Sequence, residues 1–444
     1  MKYAILGGGV AGLSLASFLD APTSVLEREP VVGGLSRSYD LNGIAYDIGP
    51  HIIFSKNKEV LDLHTSLVRT HQIRRSNQIF FKGRYIKYPF ENDLSALDGN
   101  DRDYCLNDFL NNPYEGYSPS NMLQFFLATF GEGITRLYLQ PYNEKIWKFD
   151  PSCMDMQMVE RIPKPPKEDV IASANGVATE GYTHQLYFHY PSQGGFQTMV
   201  DAYREKAEAK GQQVQTGVDL RAVERIGGGW RLHTDRGEIE AEQLINCAPI
   251  FEIFKLLDPP PSIKADLDAL LYNSIYIVMV QVKRDRIGDH FALYVPDKDI
   301  LFHRLSKLNF LGDAYALPDG GTTLMAEVTF RPGSYLSTLP REAVVDQVVD
   351  DLEQLGFIEK SDLIDTAIRY ERYAYVIYDL NHRARMDRLL GWLRGQGIES
   401  AGRFAEFEYL NTDGVVEHTL ALARRLNAKS AGAELASQGE HDFA

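Results

Sequence analysis

A chain of 444 residues, 44% hydrophobic and 24% charged, is too long for one core and has the balance of a soluble globular protein, so two or three domains are expected. Its net charge of -15 excludes a nucleic-acid surface, which needs concentrated Lys and Arg, and any phosphate site must be local. No apolar run approaches the ~18 residues of a membrane span and no leader precedes a first strand at Lys2 or Tyr3, while Cys105, Cys153 and Cys247 form no metal or redox pair; a cytoplasmic protein with inert thiols and no metal centre is expected.

Tyr3-Ala-Ile-Leu6 is a short apolar run of the buried parallel-strand type, and it leads through Gly7-Gly-Gly9-Val-Ala-Gly12 into a helical apolar pattern from Leu13 to Leu19. Gly7, Gly9 and Gly12 fill the three places of G-x-G-x-x-G, which serve a tight turn, close approach of a pyrophosphate, and close helix–strand packing. The helix N-terminus adds unpaired N–H groups and a positive dipole end. Ser24-Val-Leu-Glu27 reads as a second strand ending in an acid at the offset of a ribose-binding residue, so a dinucleotide is predicted here. Gly33-Gly34-Leu35 is a second glycine loop, too far along to share the first turn, and reads as a second phosphate cradle. Gly43 to Phe54 has strand character and stops at a Gly49-Pro50-His51 corner. Lys58 to Leu67 is an amphipathic helix, and Gln78 to Tyr88 a hairpin turning at Lys82-Gly83.

From Leu94 to Tyr142 the pattern is helical, broken at Pro113, Pro119 and Gly131 to Gly133. Ile162 to Lys167, with three prolines, reads as a linker. Leu186 to Tyr190 is a strand, and Gly194-Gly195 opens a helix from Phe196 to Lys210. Short strands follow at Val214 to Thr216, Leu220 to Ile226, Trp230 to Thr234 and Glu238 to Glu240, and Gln243 to Ala248 returns to the buried type. Ile275 to Val282 and Thr322 to Phe330 are strong strands, with weaker ones at Phe291 to Val295 and Ile300 to Leu305. A helix at Arg341 to Leu355, a strand at Thr366 to Tyr373 and a helix at His382 to Arg394 come next. Ile398 to Arg403 followed by Gly414 to Leu426 repeats the opening order of strand, glycine turn and helix.

The predicted class is α/β, with a discontinuous Rossmann-like dinucleotide-binding domain (1–75, 192–258 and 396–430), a helical insertion (93–160) and a mainly antiparallel β-sheet substrate domain (76–92, 161–191 and 259–395). The small, polar segment 431–444 is expected to be a disordered tail.

This succession of G-x-G-x-x-G, Gly-Gly-Leu-Ser and a C-terminal Gly-Arg unit resembles the flavin amine oxidase and protoporphyrinogen oxidase superfamily, which implies FAD. Within it the chain is similar to the UDP-galactopyranose mutases. Tyr46-Asp-Ile-Gly-Pro-His51-Ile-Ile-Phe-Ser55, Gly83 to Asn92, Pro141-Tyr-Asn143-Glu-Lys-Ile-Trp147, Glu160-Arg161-Ile162, Tyr190 to Gly195 and Gly402 to Asp413 have counterparts in the same order. The resemblance implies FAD contacts at Gly7, Gly9, Gly12, Glu27, Gly33, Gly34, Leu35, Arg403 and Asp413. It places a diphosphate clamp at Arg161, Arg304, Tyr294, Tyr375 and Tyr409, a flavin-facing His51, and a nucleotide-base pocket at Tyr88, Phe90, Glu91, Asn143 and Trp147. These residue types suit the task, because guanidinium forks bind phosphate in bidentate fashion and phenols donate without adding charge.

The implied reaction interconverts pyranose and furanose forms of an NDP-hexose, through attack of reduced flavin on the anomeric carbon, with NAD(P)H as an external reductant. The alternative is an FAD-dependent oxidoreductase of the amine oxidase or protoporphyrinogen oxidase type. The chain departs from the mutase pattern at three positions. Pro50 stands for a glycine, Glu91 for a glutamine and Asn411 for the aspartate of many bacterial relatives. A carboxylate at 91 only accepts hydrogen bonds, which suits either the paired N–H groups of guanine or the imide N–H of uracil or thymine. The expected partner is therefore a nucleotide sugar, with neither nucleic acid nor membrane; a homo-oligomer is compatible with the sequence.

Overall fold

The computed structural model describes residues 2–159, 162–181 and 186–441. A five-stranded parallel sheet is assembled from distant pieces of chain in the spatial order Ile398–Ser400, Gln243–Asn246, Tyr3–Leu6, Thr23–Leu26, Gln213–Gln215. The opening strand is central and wholly buried, which explains its uninterrupted apolar run. Behind it the helix Val10–Phe18 is buried on nearly every side, packed between the helices Gln197–Ala209 and Thr412–His441. A buried polar link inside this packing joins the Ser14 and Thr419 hydroxyls at 2.9 Å, and Asn427 Nδ2 donates to the Phe18 carbonyl at the helix end at 3.0 Å. The Rossmann-like domain is thus discontinuous.

A second sheet of seven strands runs Leu363–Ile377, Leu271–Val282, Thr322–Phe330, Arg304–Lys307, Ala292–Tyr294, Asn77–Phe81, Arg84–Lys87. Every neighbour is antiparallel except Ala292–Tyr294 beside Asn77–Phe81. The two-residue period of a strand divides its side chains cleanly. Tyr276, Val278 and Val280, with Leu324, Ala326 and Val328, pack on Val344, Val348 and Leu352 of the helix Arg341–Gln354. Ile275, Ile277, Met279 and Met325 face the opposite way, into the core shared with the helical insertion. Gly99–Leu110, Met122–Ile134 and Gln140–Trp147 form that insertion, which bends at Gly131.

The structure departs from sequence expectation in several places. Ile162 to Pro166 carries no regular element, and Lys167 opens a helix, Lys167–Ala174, that the sequence did not declare; Pro166 precedes its first turn, and Val170, Ser173 and Ala174 are buried. The strand Tyr187–Pro191 pairs with Thr70–Arg74, not with the large sheet. The strand expected at Ile300 to Leu305 lies at Arg304–Lys307, because Ile300 and Phe302 are instead buried as loop anchors and the Leu301 N–H donates to Asp351 at 2.6 Å. Thr366 to Tyr373 is the middle of a 15-residue strand that continues to Ile377. The final helix runs to His441 over most of the expected tail, in keeping with the helix propensity of its Ala, Leu, Glu and Gln residues. No helix among the described residues is long and apolar enough to cross a membrane.

Candidate functional site

A cavity of about 1400 Å³ extends from the glycine turn to the large sheet and the insertion. Gly7, at φ 102°, turns the chain beneath Ala248. A Cβ on Gly12 would lie 2.0 Å from the Gly7 carbonyl oxygen, so Gly12 permits packing and does not line the cavity. The second glycine loop is not a separate cradle. Gly33 N–H donates to Gly8 O at 2.8 Å and Gly9 bridges to Gly33, joining the two loops into one floor lined by Gly7, Gly9, Gly33, Gly34 and Leu35. Glu27, just past the second strand, accepts the Gly8 N–H at 2.7 Å and the Glu29 N–H at 2.8 Å, and borders the same floor.

Beyond the floor lies the corner carrying His51. Its Nδ1 is buried without a partner, and burial, reinforced by Arg403 and Arg304, lowers its pKa to about 4. The ring is neutral at pH 7. Asp47 ties this corner down, accepting from Ser38 Oγ at 2.6 Å, Tyr190 Oη at 2.7 Å, Phe196 N–H at 3.0 Å and the His51 backbone. Burial nevertheless raises its pKa to about 6. Arg403 donates to Leu410 O at 2.8 Å and Ala374 O at 2.9 Å, lies 4.4 Å over the Tyr409 ring, and leaves its buried Nε unpaired. Asp413 also lines the cavity, beside Ser55, with its pKa raised by burial.

On the sheet, Tyr294, Arg304 and Glu327 are direct cross-strand partners on three successive strands and project as one row. Glu327, 1% exposed, grips Arg304 through Nε and through Nη2, the latter at 2.7 Å. Burial opposes the charge on Arg304, but the Glu327 carboxylate holds its pKa well above the usual value. Nη1 has no protein partner among the described residues. The Tyr294 hydroxyl accepts from Asn77 Nδ2 at 3.0 Å. Tyr375, brought in by the longer strand, stacks on Tyr409 at 5.8 Å, and both rings meet Trp147 at 5.6 Å. Trp147 Nε1 donates to Asn143 Oδ1 at 2.8 Å, and Asn143 Nδ2 donates to Leu139 O at 2.7 Å, so Asn143 fixes the indole.

A line of rings continues from here. Tyr88 lies 4.8 Å from Tyr294, Tyr142 5.6 Å from Tyr294, and Tyr138 stacks on Tyr142 at 5.4 Å. Phe90 ends the line, stacked on Tyr138 at 5.0 Å, but it is wholly buried and off the cavity wall; it is a core residue supporting the pocket rather than a lining one. The next residue, Glu91, does line the cavity, and burial raises its pKa to about 7. Arg161 lies outside the described residues.

Sequence reasoning missed Glu327, Tyr142 and Asp47. The signal for Glu327 was present, since it is the one charged residue in the buried strand Thr322–Phe330. The residues fit a flavin dinucleotide: a glycine floor with an acid at the ribose offset, followed by orphaned buried nitrogens on Arg37, His51 and Arg403 along one cavity.

Comparison with known proteins agrees with this fit. The family model of flavin containing amine oxidoreductases matches residues 10–385. Among solved structures, a reduced UDP-galactopyranose mutase superposes with TM-score 0.86 at 23% identity, covering 96% of this chain and 95% of that one. A protein assigned as a protoporphyrinogen oxidase, from Exiguobacterium sp. 255-15, gives 0.75 at 18% identity (96% and 99% covered). A fatty acid isomerase from P. acnes, producing CLA, gives 0.65 at 16% (95% and 98% covered). At these identities the likeness is one of fold.

Proposed function

We propose, from the premise that this chain belongs to the flavin-containing amine oxidoreductase family and is an FAD enzyme, that it is a nucleotide-sugar mutase interconverting pyranose and furanose forms of an NDP-hexose. The observation that carries this reading is the row Tyr294–Arg304–Glu327, a permanently charged guanidinium fixed beside phenol groups on the cavity wall. That chemistry suits a diphosphate, and in a protein of net charge -15 it must be local.

When bound, reduced FAD supplies nucleophilic electron density for covalent catalysis at an anomeric carbon. The protein's own part is to hold the substrate and stabilise the charge that departs. Arg304 offers Nη1 to the diphosphate while Glu327 keeps the guanidinium from turning. Tyr294, Tyr375 and Tyr409 add phenol donors; burial keeps the Tyr375 hydroxyl protonated. Neutral His51 presents an unpaired Nδ1 that can exchange a hydrogen bond without bringing charge. Tyr88, Glu91 and Trp147 line the pocket for the base. Arg161 joins the diphosphate clamp in this reading, and an NAD(P)H-type donor reduces the cofactor.

Net oxidation of an amine is the second reading. The buried acid Glu91, which could pair with an ammonium group, favours it. The test is anaerobic incubation of dithionite-reduced protein with UDP-, GDP- and dTDP-hexoses, followed by separation of furanose from pyranose products. Furanose product supports the mutase; no ring isomer there, together with oxygen uptake in a parallel aerobic assay of the unreduced protein with primary amines and polyamines, assigns the protein to the oxidases.

A further inference from the structure

The strand Leu363–Ile377 is the outermost of the seven-stranded sheet, and its two halves differ. From Tyr373 onward it is covered: the Tyr373 ring stacks on Phe251 at 5.3 Å, the Ala374 carbonyl accepts from Arg403, and Ala374 to Ile377 are buried. From Ile364 to Arg372 it runs along the surface, with Ile364 48% and Tyr370 37% exposed and Asp365, Arg369 and Arg372 exposed beside them. It pairs on one side only, with Leu271–Val282, in regular register from Asp365 to Glu371, so alternate N–H and C=O groups of this stretch point away from the sheet. A free edge of this kind is a template for another strand, and Pro and Lys, which commonly guard such edges, are absent from the whole strand.

We propose that this edge pairs with the same edge of a second copy of the chain, antiparallel, about a two-fold axis at Ala367. In such a pair, residues equally spaced on either side of the axis face one another across the two copies. With the axis at Ala367, Asp365 faces Arg369 of the second copy and Arg369 faces its Asp365. Thr366 and Ile368 face each other in the same way, and the two exposed apolar side chains, Ile364 and Tyr370, come together. Only the small Ala367 meets its own copy. Neighbouring registers fail on charge or on cover. An axis at Thr366 sets Arg369 against Leu363, one at Ile368 sets Asp365 against Glu371, and one at Arg369 sets the arginine against itself. An axis at Tyr370 needs Tyr373, whose ring is already stacked on Phe251.

Both charged residues are held in place from within the chain. Asn42 Nδ2, at the tip of the hairpin formed by Ser38–Leu41 and Ile44–Asp47, donates to Asp365 Oδ2 at 2.9 Å. Arg369 Nε donates to Tyr46 Oη at 3.3 Å, and its guanidinium lies 4.3 Å over the Tyr39 ring. The two are thus presented on one face of the strand, while Ile368, on the other, packs toward the helix Arg341–Gln354. Opposite charges directly across a strand pair stabilise it and like charges destabilise it, and the two-fold axis makes each such pair occur twice. The same strand carries Tyr375 into the cavity, so the pairing braces an element of the site.

The experiment is analytical ultracentrifugation of the FAD-loaded full chain, with the melting temperature of each variant recorded alongside. The parent is expected at twice the 50.1 kDa of one chain. Arg369→Asp and Asp365→Arg each turn both cross-copy ion pairs into like-charge pairs and are expected to weaken the dimer roughly tenfold to a hundredfold. The double variant Asp365→Arg/Arg369→Asp exchanges the charges and is expected to restore it. Damage to the hairpin contacts cannot produce that rescue, because the double variant loses the contacts of both residues. Ala367→Cys is expected to give a disulfide-linked dimer on exposure to oxidised glutathione, which the parent, with its exposed Cys153, does not. A monomeric parent, a dimer indifferent to both single reversals, a double variant that melts like the parent yet stays monomeric, or an Ala367→Cys dimer that does not crosslink overturns the assignment. Each of these outcomes leaves the reading of the reaction where it stood.

Discussion

Replacing Glu327 with alanine isolates the charge logic of the site. The carboxylate is 1% exposed and holds an arginine whose side chain is 24% exposed to the cavity, so removal strands a largely buried guanidinium. Deleting one partner of a buried pair costs about 3–5 kcal/mol, and the partial exposure of Arg304 places this case near the lower value, about 3 kcal/mol. The melting temperature of the variant should fall by several degrees. A bound diphosphate returns a counter-charge to Arg304, so ligand should stabilise the variant more than the parent. Recovery of half the loss, ~1.5 kcal/mol, corresponds to about tenfold in affinity. It adds to the ~2.7 kcal/mol that any ligand confers at 100 times its Kd. Thermal melts of FAD-loaded parent, Glu327→Ala and Glu327→Gln, with and without saturating UDP-glucose, measure both effects, the glutamine variant falling between the others. A variant that melts with the parent, or gains no more from ligand than the parent does, refutes the role given to the pair.

Gly12→Ala should yield protein without bound flavin, since the added Cβ would lie 2.0 Å from the Gly7 carbonyl oxygen; absorbance near 450 nm after purification reports it. Phe90→Ala should cost about 3–5 kcal/mol of stability as a buried-ring deletion, yet change nucleotide-sugar affinity less than Glu91→Ala does; a larger effect on binding than on melting would return Phe90 to the pocket wall. His64 is buried against Tyr203, and burial lowers its pKa from 6.5 to about 4. Its folded-state pKa is depressed, so the stability of the neutral ring is complete above pH 6.5 and is lost as pH falls towards about 4. His64→Phe should therefore lose less stability than the parent between pH 7 and pH 5, measured as the fall in melting temperature.

What could be read before folding was whatever local chemistry dictates. Gly7, Gly9 and Gly12 and the acid at Glu27 declare their turn and strand end within thirty residues, and Lys58–Leu67 and Thr322–Phe330 have the predicted bounds. Features that depend on the opposing surface were not legible. Nothing local shows that Gly33 closes on Gly8, or that Ile300 and Phe302 are claimed by a loop instead of a strand. Phe90 and Glu91 adjoin in one motif, but only the fold shows that the ring turns into the core while the acid turns to the cavity. Asp47 lies inside the Tyr46 to Ser55 motif, but its role is not legible there, because its partners Ser38, Tyr190 and Phe196 come from three separate segments.

The claim that the site breaks and remakes the anomeric C–O bond is tested most directly by positional isotope exchange. UDP-hexose carrying ¹⁸O in the bridge between the sugar and the β-phosphorus is incubated anaerobically with the dithionite-reduced holoprotein, and the label is followed by ³¹P NMR. The account predicts migration of ¹⁸O to the non-bridging β-phosphate positions, slowed at least a hundredfold in Arg304→Ala protein that retains FAD. A label that stays in the bridge while the reduced protein binds the nucleotide sugar would contradict it.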